Sequence, residues 1–456
     1  MTTDSTAVHR ARATGMSYQE ILDTDRTEPP ATYRWQSPVL HGPVEVPVSR
    51  YLSAEAHEQE KKHLWSRVWQ IACRSERLTD IGDTVVYDIA DKSYLLVRTA
   101  DGPDGIRAFP NACLHRGRAL RDGPGRVSEL QCSFHGFCWT LEGKLRRIPS
   151  AWDFPHLDPH TLSLPRTRVG EWGGFVFINP DLDCEPLADY LGVLPELFER
   201  WPLDMRYTKA HVSKVINANW KLVQEAFMES YHVVTTHPQL LPGFGDANSQ
   251  YDAFGNVARA LSPRGVPSPL LSWTPTEQQQ LDSALDVRQD DPALFALGEG
   301  DRARHALADA ASAALRPSLG DSVDHLSEAE LVDSYFVNIF PNAHPWAAYN
   351  QIFYRFRPNG DDHQSSLMEV MLLAPFSGDR PTPAAELRLG ARDPWRDATD
   401  VLGSLARVFD QDEFNLEAVQ RGLHSTQRSV VNLATYQEGK IRHFHQLYEQ
   451  WIPELS

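Results

Sequence analysis

Two short stretches, Cys113-Leu114-His115 and Cys132-Ser133-Phe134-His135, offer two thiolates and two imidazoles. Each stretch supplies one of each, two residues apart in the first and three in the second, with sixteen residues between His115 and Cys132. Two sulfurs and two ring nitrogens can hold a [2Fe–2S] cluster with cysteines on one iron and histidines on the other. Gly117, Gly123, Gly125 and Gly136 permit the tight turns that bring two such loops together. A structural zinc ion accepts the same ligand types. Zinc sites of that set usually place both cysteines in one half and both histidines in the other, whereas here each half is mixed.

A second constellation begins at Asn219-Trp220-Lys221 and runs through Glu229, His232 and His237-Pro238. Histidines five apart fall well off one line on an ideal helix. Pro238 disfavours helical backbone at His237, so the helix is expected to end before it. A ligand from the last turn and one from the loop beyond can then converge on one ion. The macrodipole at a helix C-terminus also favours an imidazolium, so the pair alone is weak evidence for metal. A carboxylate is available in Phe409-Asp410-Gln411-Asp412-Glu413. Two histidines and one carboxylate leave coordination positions open, the ligand set with which Fe(II) meets O₂.

The elements expected to position these groups follow from pattern. Residues 1–47 read as an arm, charged and then proline-bearing at Pro29-Pro30. A helix is predicted over 53–69, and strands over 83–89, 93–98 and 106–109, the last leading into the first loop. A hairpin over 137–148 and a buried strand over 173–178 complete a small β domain spanning 48–180 with the Cys/His loops at its tip. A second unit over 181–456 opens with a linker and short helix, then a strand at 207–218 and a helix over 219–234. Residues 243–327 have weak periodicity and many Ser, Pro, Gln and Asp residues, with a helical piece at 301–314. They read as a mobile insertion over a pocket, with a plain surface loop as the alternative. Strands at 331–340, 347–356 and 366–374 then precede a long amphipathic helix over 395–421 and a final one over 436–451.

Length and composition agree with a two-domain globular protein: 456 residues, 41% hydrophobic and 23% charged. A net charge of −17 argues against nucleic acid or an anionic membrane as partner. No apolar run is long enough to span a bilayer, and Met1-Thr2-Thr3-Asp4 opens no signal peptide. Besides the two motif cysteines, Cys73, Cys138 and Cys184 are odd in number and suit free thiols in a reducing, cytoplasmic setting. Cys138, three residues past His135, reads as a packing thiol.

Taken together, these motifs resemble the α subunit of the Rieske non-haem iron oxygenases, the aromatic ring-hydroxylating dioxygenase family. The resemblance rests on the Cys-x-His and Cys-x-x-His loops, the Asn-Trp-Lys helix with its Tyr-His and later His, Phe340-Pro341-Asn342, and the acidic run from Asp410 to Asn415. It implies an α+β fold: a Rieske β-sandwich-type domain set on a helix-grip (START-like) domain whose antiparallel sheet clasps a long C-terminal helix. It implies that Cys113, His115, Cys132 and His135 bind the [2Fe–2S] cluster and that His232, His237 and Asp412 hold mononuclear Fe(II). Asp410 and Glu413 are the neighbouring alternatives for the carboxylate.

The resemblance further implies that Glu229 bridges the two centres, linking the iron histidine to a cluster histidine of a neighbouring subunit. The family usually has Asp there, and some members with Glu are monooxygenases or demethylases. Ala226 replaces a common Asn and Phe134 a common Tyr. The expected activity is that of a terminal oxygenase: O₂ and electrons from a ferredoxin or flavin reductase hydroxylate a hydrophobic, aromatic substrate to a cis-diol or a monohydroxylated product. Oxidative demethylation of a quaternary amine or aryl ether is the alternative on the same scaffold. No Gly-x-Gly-x-x-Gly follows a strand, so NAD(P)H would be used by a partner. A homotrimer is implied, and a β subunit is compatible with it. Two other classes make distinct predictions. A pure electron carrier would keep its turnover on His232→Ala, and a zinc-stapled binding module would contain no iron. The pocket is expected to draw on 224–228, the insertion, and strands near Phe336 and Phe353.

Overall fold

In the computed structural model, which describes residues 15–38, 41–285 and 296–452, β-rich and mixed halves are joined face to face. The first 14 residues of the expected arm and 286–295 of the expected insertion lie outside the described residues.

The β-rich half is built from three small antiparallel sheets. Asp83–Ile89 and Lys92–Arg98 form a hairpin extended by Ile106–Pro110. Phe175–Asn179 lies between Gln70–Arg74 and Arg168–Trp172, every one of its residues buried. The Cys/His loops project from this scaffold over a core of Leu95, Val97, Phe109, Leu130, Phe137 and Trp139.

The second half is organised around an eight-stranded sheet. Its longest strands, Arg206–Ile216, Asp362–Pro375 and Ile352–Asn359, are neighbours and pair antiparallel. Alternation along these strands gives the sheet two different faces. Val212, Ile216, Tyr354, Phe356, Met368 and Val370 pack on Ala406, Phe409 and Leu416 of the helix Leu405–Ser425. The opposite parity meets the β-rich half, with Phe353 stacked on Phe175 at 4.7 Å.

Three expectations are corrected here. The helix predicted over 219–234 is broken: Trp220–Glu225 is helical, and a single turn resumes at Val233–Thr236. In the gap the Glu229 carboxylate accepts the His232 backbone N–H at 3.0 Å. A side chain that satisfies a backbone donor locally competes with continued helix. The insertion is also not irregular. Gln250–Phe254 and Val257–Ser262 form a hairpin that adds two strands to the main sheet, turning at Gly255 with φ of +60°. The helices Glu277–Ala284 and Ala303–Leu319 pack together through Leu281, Ala284, Ala303 and Leu307. Finally, the helix expected over 53–69 is α-helical only over Ala54–Gln59, capped by the Ser53 hydroxyl, and widens into a π-helical turn at Glu60–Trp65.

That wide turn carries Glu60 into the second half. Its carboxylate, fully buried, pairs with Lys221 and accepts from Trp220 Nε1 at 2.8 Å and Tyr448 Oη at 2.9 Å. Burial pushes this carboxyl up, but Lys221 and the hydrogen bonds outweigh burial and hold it at about 2. Lys221→Met leaves the charge buried and unpaired, so denaturant unfolding should show a loss of about 3–5 kcal/mol.

Candidate metal centres and substrate pocket

The two Cys/His loops are the same turn used twice. Gly117 N–H donates to the Cys113 carbonyl at 2.9 Å, and Gly136 N–H to the Cys132 carbonyl at 3.0 Å. Both glycines have φ of +78°, where a side chain would be strained. Cys113 and Cys132 are buried side by side. The rings of His115 and His135 meet edge to face at 4.6 Å, and His115 is held flat against Phe137 at 4.7 Å. Like is therefore paired with like, sulfur with sulfur and imidazole with imidazole, as a [2Fe–2S] cluster with unlike irons requires. The buried Nδ1 of His115 has no hydrogen-bond partner, and burial raises the Cys113 thiol, with Cys132 beside it adding to the rise. Metal ligation would relieve both. His135 and Phe134 are exposed, Phe134 by 55%. Cys138 is fully buried, its thiol pushed up to about 11 chiefly by burial, which suits packing and not ligation.

In the second half, His232 sits at the start of the resumed turn and His237 just past its end, with φ of −126° ahead of Pro238. Asp412 lies on the buried face of the long helix, three residues after Phe409. Ligand atoms of these three side chains all lie within 4.8 Å of one another. The Nε2 atoms of His237 and His232 stand 2.8 and 3.5 Å from Asp412 Oδ1. Both Nδ1 atoms point away to acceptors: His232 to Glu229 Oε1 at 2.6 Å, and His237 to Gln411 Oε1 at 3.0 Å. Such outer acceptors fix the tautomer that leaves Nε2 free for a metal. Gln411 was invisible to spacing arguments, because a helix neighbour of Asp412 should project to another face. The two alternative carboxylates are engaged elsewhere. Asp410 accepts from the backbone N–H of Trp395 and from Arg396, and Glu413 lies 3.0 Å from Lys214 Nζ.

Electrostatics suit a cation at the point of convergence. Burial pulls the His232 imidazole down, but the carboxylates of Glu229 and then Asp412 prevail and hold it at about 9. A metal entering this site must displace that proton. Iron loading of the apoprotein should therefore weaken as pH falls below about 9, as equilibrium titrations at stepped pH will register.

The three side chains form one end of a pocket of about 280 Å³. Its walls are aromatic: Phe227, Phe336, Trp346, Tyr354 and Phe409 line it. Phe227 and Tyr354 are 5.0 Å apart, and Phe336 and Trp346 5.3 Å. Segments 224–228 and the insertion contribute as expected, through Ala226, Phe227, Phe244 and Arg264. Phe353 does not; its neighbours Ile352 and Tyr354 do, because strand alternation turns Phe353 to the other face of the sheet.

Residues 198–454 match the ring hydroxylating alpha subunit (catalytic domain) family, and residues 68–158 match the Rieske [2Fe-2S] domain. The chain belongs to the ring-hydroxylating α-subunit family. Among curated relatives of this α subunit, the carnitine monooxygenase oxygenase subunit of Escherichia coli K12 is 30% identical over 206 residues, 44% of this chain and 53% of that protein. Chloroplastic choline monooxygenase of Beta vulgaris is 29% identical over 42% of this chain and 44% of its own length. Chlorobenzene dioxygenase subunit alpha of a Cupriavidus strain is 30% identical over 41% and 42%. The matched region thus spans about half the length of these relatives. The fold extends further: a quaternary ammonium Rieske monooxygenase in complex with L-carnitine aligns over 90% of this chain and 95% of its own, with a TM-score of 0.62 and 18% identity. A naphthalene 1,2-dioxygenase variant bound to phenanthrene aligns over 91% and 93%, with a TM-score of 0.63 and 19% identity. The α+β architecture of a Rieske domain joined to a catalytic domain is that of the family. No helix among the described residues is long and apolar enough to cross a membrane.

Proposed function

We propose that this α subunit is a terminal oxygenase that hydroxylates a small apolar or aromatic substrate with O₂ and electrons from a ferredoxin or flavin reductase. The observation that carries the reading is the convergence of His232, His237 and Asp412 at one end of an aromatic-walled pocket. In this reading Cys113, His115, Cys132 and His135 hold a [2Fe–2S] cluster, and His232, His237 and Asp412 hold ferrous iron. When bound, the cluster supplies electrons one at a time and the iron supplies open positions for O₂.

The chain's own residues do the rest. Glu229 keeps the proton on His232 Nδ1, and Gln411 orients His237. Phe227, Phe336, Trp346, Tyr354 and Phe409 exclude water and seat the substrate against the triad. With the cluster bound, the exposed edge of His135 would be its contact with a donor or neighbouring chain, and the Glu229 carboxylate on His232 would be the corresponding contact of the iron site. In a homotrimer, that exposure would let His135 of one chain meet the Glu229 side of the next. Supplying reduced donor, O₂ and a panel of aromatics, with product formation measured against oxygen uptake, tests the reading. Tight coupling for none of the panel would defeat it.

A quaternary amine is the second substrate class. Aromatic rings lining one volume can attract a methylated ammonium through their π faces, worth about 2 kcal/mol when desolvated. The kinship with carnitine and choline monooxygenases accords with it. Comparing a trimethylammonium compound with its neutral tert-butyl isostere separates the classes, because only a cage for cations prefers the charged member.

A further inference from the structure

A second cavity, of about 360 Å³, lies between the β-rich half and the back of the eight-stranded sheet. Tyr87 stands on one wall and His211, Arg355, Arg357 and Glu369 on the other. The sheet residues have the opposite parity to those facing the long helix, so the sheet itself separates this cavity from the His232 pocket.

The cavity wall holds more buried positive than negative charge. The Glu369 carboxylate is shared three ways, at 2.5 Å by Arg355, 2.8 Å by His211 and 3.5 Å by Arg357. Arg357 otherwise donates to the Asp88 carbonyl at 2.8 Å, and its buried Nε has no acceptor. Arg74 repeats the pattern. Its terminal nitrogens reach backbone carbonyls, its buried Nε has no acceptor, and its nearest carboxylate, Glu76, is 3.7 Å away. Glu386, also on the lining, is taken by Ser213 Oγ and by the exposed Arg388. A guanidinium Nε–H buried without an acceptor is costly.

We propose that this interdomain cavity binds a small oxyanion, the phosphate or carboxylate of a metabolite-sized molecule, which accepts from Arg357. Planar guanidinium forks match both groups. Arg355 and Arg357 both lie over the Tyr87 ring, at 5.3 and 5.5 Å, so a ligand here touches both halves at once and clamps them together. This site is independent of the oxygenase reading.

The test uses the full chain with its cluster in place. Inorganic phosphate and succinate are titrated at constant ionic strength, with calorimetry and thermal unfolding as readouts. Expected is saturable binding of one of them, one site per chain, with a rise in the unfolding temperature; which ion binds distinguishes the tetrahedral from the planar group. Arg357→Gln should weaken binding at least about tenfold, the loss of one charge-assisted hydrogen bond. Ala384→Glu, which keeps the arginine and adds negative charge to the lining, should do the same. No saturable binding of either ion, as when water alone fills the cavity, overturns the proposal. So does an affinity unchanged in both variants.

Discussion

Replacing Asp412 with alanine should abolish substrate-coupled oxygen uptake and lower the iron content by the mononuclear equivalent. The visible spectrum of the cluster should be unchanged. Asp412 Oδ1 is the atom on which both histidine Nε2 atoms converge, at 2.8 and 3.5 Å. Without it two neutral imidazoles must hold the cation alone, and the neighbouring carboxylates cannot substitute. Asp410 is anchored to Trp395 and Arg396, and Glu413 to Lys214, which is itself buried. The loss should exceed the roughly 10–100-fold typical when an outer partner of a metal ligand is removed. Iron analysis, electronic spectra and oxygen-electrode traces on one preparation decide it. Retention of both iron populations with full uptake would mean that the carboxylate has another role.

Glu229→Gln should give the complementary phenotype. The amide preserves shape and still accepts at one oxygen, yet the negative charge 2.6 Å from His232 Nδ1 is gone. Both metal centres should load, and a chemical reductant should still reduce the cluster. Reoxidation in the presence of substrate and O₂ should slow by roughly 10–100-fold. Stopped-flow spectroscopy separates the two half-reactions, and only the second should change. Equal slowing of both would assign Glu229 to folding of the broken helix, where its other oxygen accepts the His232 N–H. Glu229→Asp, with a shorter reach, should retain more activity than Gln if charge is the operative property.

Much of the site was legible in the sequence because its chemistry is concentrated in short motifs. Cys113 with His115 and Cys132 with His135 are brought together by turns whose glycines are visible at Gly117 and Gly136. Pro238 marks the end of helical backbone at His237. Asp412 could be separated from Asp410 and Glu413 only by resemblance, since a helical run of acids presents several carboxylates to several faces. Gln411 was missed because its contact with His237 is a tertiary event with no spacing signature. The hairpin Gln250–Ser262 was hidden for a different reason. Its second strand, Val257–Ser262, is buried throughout and lacks the polar–apolar alternation of a half-exposed strand. Oxygen ligands offered by Glu229 to its own helix likewise broke a period that the residue types alone would continue.

The amino-terminal segments bear on how such proteins can be recombined. Strand Glu45–Pro47 pairs with Val430–Asn432, Tyr18 hydrogen-bonds to Asp333, and Arg26 pairs with Glu328, all in the second half. Helical residues Tyr51 and Glu60 reach Glu225 and Lys221 there as well. Segments 15–38 and 41–65 precede the cluster loops in order but are fastened to the other half in space. Chimeras that exchange the cluster module between relatives should therefore be cut after Trp65, keeping the leading segments with their own catalytic partner. Junctions drawn at residue 47 would part Tyr51 and Glu60 from their own Glu225 and Lys221, and such hybrids should unfold at lower denaturant concentration.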